Sequence, residues 1–131
     1  MTSKYDSKFK VSFVLLISWS IFIIYKSVEY YSSSSKRLNP VGYIPLEQHV
    51  LAYFVFALLL YLTISRYFSK SLFKTVLIVT FSFGFLMEIL QGIIPWRDFS
   101  LLDSLFNFMG GVLFITAKQI TSFRNKLNIQ N

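Results

Sequence analysis

Residues 75–96 read TVLIVTFSFGFLMEILQGIIPW, a run whose only charged residue is Glu88. As a helix rising ~1.5 Å per residue it is ~33 Å long, enough to cross the ~30 Å hydrocarbon core of a bilayer. It is apolar around its whole circumference, so it lacks the polar face of a helix on a soluble surface. The uncharged runs Val11–Tyr25, His49–Ser65 and Leu101–Ala117 repeat the pattern, and basic residues near their ends add snorkelling reach. The expected fold class is all-α, an integral membrane four-helix bundle with helices over about 9–30, 46–66, 72–95 and 100–119. These form a single domain over 1–131, with an extracytoplasmic loop over about 31–45.

Composition agrees with that reading. Of the 131 residues, 54% are hydrophobic and 15% charged, against roughly 25% charged in soluble domains. Cysteine is absent, which excludes disulfides, thiolate nucleophiles, iron–sulfur clusters and cysteine-ligated zinc. A net charge of +7 would point to nucleic acid only if the basic residues shared one face, and they are spread along the chain. Nine of the 13 basic residues lie in the amino terminus (Lys4, Lys8, Lys10), the second connection (Arg66, Lys70, Lys74) and the carboxyl tail (Lys118, Arg124, Lys126). Lys26, Lys36, Arg37 and Arg97 are the rest. The positive-inside rule then puts both termini in the cytoplasm of a multi-pass cell-membrane protein. The charge is explained by topology and by anionic lipid, with no nucleic-acid partner. Tyr25, Tyr30, Tyr31, Tyr43 and Trp96 are expected in the outer aromatic belt and Tyr67 in the inner one. Lys4, Lys8 and Lys10 ahead of an apolar run also suit a signal peptide, but no small-x-small cleavage pattern follows, which favours a retained helix. Ser32–Ser35 reads as a solvated spacer.

Polar residues inside these runs gather at one end. Glu88 lies ~12 Å and Gln91 ~7 Å below Trp96, while Asp103 lies ~5 Å and Asn107 ~10 Å below Ser100. A connection as short as 95–100 makes helices 3 and 4 an antiparallel hairpin, so Asn107 is level with Glu88 and Asp103 is near Gln91. His49 and Tyr53 open helix 2 at the same level. Gly84, Glu88 and Gln91 share one stripe of helix 3, and Asp103, Asn107, Gly110 and Gly111 share one stripe of helix 4. Small residues beside polar ones bring backbones together while turning polar groups inward, so Gly84, Gly110 and Gly111 are packing positions.

Ionisable groups in a bilayer are functional candidates, each with a plainer alternative. Glu88 and Asp103 are candidate acid/base residues. Yet Glu88 also suits an interhelical strut, and Ser100-x-x-Asp103 is a capping-box pattern. His49, Tyr53, Gln91, Arg97 and Asn107 are candidate ligand-binding residues. Against that, Arg97 also suits an interfacial snorkeller or a partner of Asp98, and the others suit hydrogen-bonding glue. One histidine among scattered carboxylates is a poor zinc signal, and no metal or cofactor is expected.

The spacing Glu88-x-x-Gln91, Pro95-x-Arg97, Ser100-x-x-Asp103, Asn107-x-x-Gly110, preceded by His49-x-x-x-Tyr53, resembles the signature of the VanZ-like family. That family consists of small membrane proteins named for one associated with teicoplanin resistance. The resemblance covers residues 45 to about 115. Where the family usually has an Asp-Lys pair ahead of the histidine, this chain has Pro45 and Leu46. The resemblance implies a role at the cell envelope bearing on glycopeptide-type antibiotic tolerance, with no reaction attached.

From the residues, helices 2 and 4 both begin at the outer face and point positive dipole ends at the cluster, with Arg97 and His49 as cationic donors. The mixture suits a zwitterionic or sugar-phosphate headgroup. The expected function is to bind or modify an envelope lipid or glycolipid. The alternative is a non-catalytic accessory subunit whose polar network is structural and which contacts another membrane protein. A transporter ranks third, since four short helices without repeats leave little to alternate.

Overall fold

The computed structural model describes residues 2–29, 46–68 and 71–129. The expectations for Tyr30, Tyr31, Tyr43, Ser32–Ser35, Lys36, Arg37 and Pro45 fall outside the described residues. Among the described residues there are four helices: α1 (Thr2–Val28), α2 (Leu46–Ile64), α3 (Leu72–Ile93) and α4 (Leu101–Ile129). Each contains a stretch long and apolar enough to cross a membrane, namely Ser7–Val28, Leu46–Ile64, Leu72–Ile93 and Leu101–Lys126. The chain is a multi-pass, all-helical membrane bundle.

α1 starts earlier and α4 ends later than the uncharged runs that announced them. Charge ends the part of a helix that sits in lipid, but it does not end the helix itself. Residues 112–129 contain neither glycine nor proline, so nothing in the backbone breaks α4. α3, by contrast, stops where proline dictates. Pro95 excludes the helical conformation from Ile94, which sits at φ −84° and ψ 126° while its N–H still reaches Gln91 O at 3.0 Å.

Successive helices run antiparallel. Trp19 Nε1 in α1 donates to Ala52 O in α2 at 2.9 Å, and Tyr61 of α2 stacks on Phe73 of α3 with centroids 5.9 Å apart. α2 touches all three other helices, whereas α1 and α4 make no contact among the described residues. α1 therefore lies in the groove between α2 and α3, on the far side from α4. Away from the polar end the interior is apolar, with Ala57, Leu60, Val76 and Phe114 buried and Phe56 stacked on Phe83 at 4.6 Å. Buried Ser12 and Thr63 there bond back to carbonyls of their own helices. Ile21, Leu51, Ile78, Leu86 and Leu105 are each more than half exposed on the flanks, where acyl chains would cover them. Exposed Tyr25 and Trp96 mark one end of the bundle and Tyr67 the other.

Two glycines set how closely the helices approach. A Cβ on Gly110 would overlap the Val50 carbonyl oxygen and lie 2.8 Å from Phe54 N, so α4 rides directly on the backbone of α2. A Cβ on Gly84 would lie 2.9 Å from Asn107 Cβ and 3.0 Å from Tyr53 Cε1. At Gly111 the nearest atom is the Thr80 Cγ2 methyl, at 3.2 Å. Gly110→Ala should therefore destabilise the bundle by about 1–3 kcal/mol, because backbone cannot move aside as a side chain can. Gly111→Ala should do much less, and thermal unfolding of the two variants in detergent measures the difference.

Candidate functional site

The polar end of the bundle is where α2 and α4 begin and α1 and α3 finish. Asn107 lies at its centre, 1% exposed, on the face of α4 that meets both α2 and α3. Its Nδ2 donates to Glu88 Oε1 at 3.3 Å, and its Oδ1 lies 2.9 Å from His49 Nδ1. With the amide nitrogen committed to the carboxylate, only the oxygen is left for the histidine, so Nδ1 must carry the proton. His49 Nε2 then faces Asp103 Oδ2 at 3.7 Å, too far for a hydrogen bond but within ion-pair range if the ring is protonated.

The capping box at the start of α4 is split between two helices. Ser100 Oγ accepts from Asp103 N at 3.2 Å, as a cap should. The reciprocal bond, from Ser100 N to the acid three residues on, is replaced. Ser100 N donates instead to Glu88 Oε2 of α3, at 3.4 Å. Glu88, fully buried, thus supplies the carboxyl group at the amino terminus of α4. Asp103, released from that duty, turns toward His49, and its Oδ1 is buried with no hydrogen-bond partner among the described residues. At the amino terminus of α4, where a ligand's negative charge is expected from the sequence, the Glu88 carboxyl takes the Ser100 N–H.

Arg97 reaches across to α1. Its Nε donates to Ser27 O at 3.1 Å and its Nη2 to Lys26 O at 2.8 Å, which satisfies the last carbonyls of α1 with a cation at the negative end of the helix dipole. Trp96 Nε1 reaches Val28 O at 3.4 Å. The turn after α3 thereby holds α1 against the site.

A cavity of about 120 Å³ lies between α1, α2 and α3, bordered by Phe22, Ile23, Lys26, Ser27, Gln48, His49, Ala52, Tyr53, Glu88 and Gln91. Of the residues singled out from sequence, His49, Tyr53, Glu88 and Gln91 line it, whereas Asn107, Asp103 and Arg97 do not. Tyr53 is 3% and Gln91 5% exposed, yet among the described residues the Tyr53 hydroxyl and the Gln91 side-chain amide have no hydrogen-bond partner. Both groups border the cavity, so they are open to pairing with whatever fills it, water included. No group of three or more potential metal ligands occurs among the described residues.

Sequence reasoning missed the wall that α1 supplies, through Phe22, Ile23, Lys26 and Ser27. One signal was legible. Trp19 sits inside an apolar run, where its indole N–H needs a partner from another helix, and that need docks α1 on Ala52.

The single histidine makes the network directly readable. Nitrogen-15 NMR of ring-labelled protein should report the Nδ1–H tautomer of His49, and Asn107→Leu should abolish that preference. The same substitution should cost about 1–3 kcal/mol of stability, because it leaves Glu88 and His49 without their shared partner. A dominant Nε2–H tautomer in the wild type would contradict the assigned direction of the chain.

No protein-family model, curated protein or solved structure matches this chain.

Proposed function

We propose that the protein is a VanZ-like integral membrane protein of the cell envelope that takes a lipid headgroup into the cavity between α1, α2 and α3. The observation that carries this reading is the pair of buried polar groups, Tyr53 hydroxyl and Gln91 amide, lining a cavity without partners from the protein. A recess beside exposed apolar flanks admits an amphiphile, with chains against the helices and the headgroup inside. The basic residues assign both termini to the cytoplasm and the cavity to the outer leaflet. The resemblance to the VanZ-like family supplies the link to glycopeptide-type antibiotic tolerance. If a reaction occurs, Glu88 is the acid/base residue bordering the cavity, and Asp103 acts through His49.

A second reading has its own support. Glu88, Asn107, Ser100 and His49 are linked in one hydrogen-bonded frame, as befits an accessory subunit whose polar residues only hold the bundle together and whose surface meets another membrane protein.

Ala52→Leu distinguishes the two, since Ala52 borders the cavity and lies outside the polar frame. Lipid extracted from protein purified in mild detergent and analysed by mass spectrometry should contain one class enriched over the bulk membrane. That enrichment should vanish in Ala52→Leu while the thermal transition is retained, and teicoplanin tolerance conferred by the wild type should fall with it. Co-purification of a protein partner with both forms, and no lipid enrichment in either, would favour the accessory reading.

A further inference from the structure

We infer that the group taken into the cavity is an uncharged, hydroxyl-rich headgroup, of the glycosyl or glycerol kind, and that the cavity discriminates against a phosphate. This rests on the headgroup reading above and narrows it to one chemistry.

A phosphate site needs committed positive charge or free N–H groups. At this end of the bundle the basic side chains and part of the α4 amino terminus are already used. The guanidinium of Arg97 is bonded to the Lys26 and Ser27 carbonyls of α1. Lys26 is ion-paired with Glu29. At the start of α4 the Ser100 N–H is taken by Glu88 and the Asp103 N–H by the Ser100 hydroxyl. The carbonyl ends of α1 and α3 also lie here, and their dipoles offset those of the α2 and α4 amino termini. Within the cavity the Glu88 carboxyl presents oxygens that accept hydrogen bonds, which an ionised phosphate cannot give.

What the cavity offers instead is matched to hydroxyls, each of which donates once and accepts twice. Glu88 accepts, the Gln91 amide both donates and accepts, and the Tyr53 hydroxyl does both. The Phe22 ring contributes an apolar wall to the same space. Donors and acceptors alternating around a small recess satisfy a polyol and leave a phosphate short of partners.

The test uses full-length protein in detergent, titrated by native mass spectrometry with glucosyl diacylglycerol, phosphatidic acid and methyl glucoside. Tyr53→Phe and Gln91→Leu are the variants. Each removes a group with no protein partner, so neither should lower the thermal transition, which is the readout a structural role would move. Glucosyl diacylglycerol should bind better than phosphatidic acid, and each variant should weaken it about 3- to 10-fold, as expected for one hydrogen bond. Phosphatidic acid binding at least as well, with the same sensitivity to Tyr53→Phe, would overturn the neutral-headgroup inference and leave the lipid reading standing. Methyl glucoside binding as tightly as the lipid, with the same sensitivity, would uphold the hydroxyl chemistry and overturn the lipid reading. Wild type that binds none of the three would overturn both.

Discussion

In a bilayer interior a carboxylate and an imidazole cannot be left to water, and Asn107 resolves that constraint for three helices at once. Its amide gives a donor to Glu88 on α3 and an acceptor to His49 on α2. A primary amide is suited to this position because its two ends have opposite hydrogen-bonding character, so it fixes the direction of the whole chain of bonds. Such bonds are modest one by one, but leaving a member unmade in a low-dielectric interior is expensive.

The glycines make that arrangement possible. Asn107 approaches α3 where Gly84 leaves space, and one turn later Gly110 lets α4 lie on the α2 backbone. The Glu88 link to Ser100 N then ties the start of α4 to α3 a second time. Close helix contact and polar satisfaction therefore depend on each other: the short bonds need the small residues, and lipid-embedded helices without a hydrophobic drive to associate need the bonds. The result is a rigid frame along one side of the cavity, with α1 held as the opposite wall by Arg97 and by Trp19.

The frame also separates two kinds of polar residue that look alike in a sequence. Glu88, Asn107 and His49 hold one another, and Arg97 holds α1. The Tyr53 hydroxyl and the Gln91 side-chain amide hydrogen-bond to no group among the described residues, although the two residues are as deeply buried. Burial alone does not tell a strut from a contact residue, and partnership does. Of the residues in the frame, Glu88 and His49 also border the cavity, so they are the places where structural and chemical roles meet.

The amino-acid order by itself determined that there are four long apolar helices and that α3 ends at Pro95. It also determined that Glu88, Gln91, Asp103, Asn107, His49 and Tyr53 lie at one end. Length, hydropathy and the ~1.5 Å rise of a helix are local quantities, and they add up without any knowledge of neighbours. Which partner each polar group takes was decided only by the tertiary structure. Ser100 N had an acid available three residues ahead and took one from another helix, and Arg97 reached the last carbonyls of α1. Those choices depend on which helices stand side by side and how closely glycine lets them pack, and along a chain of uniformly apolar helices no periodicity records that.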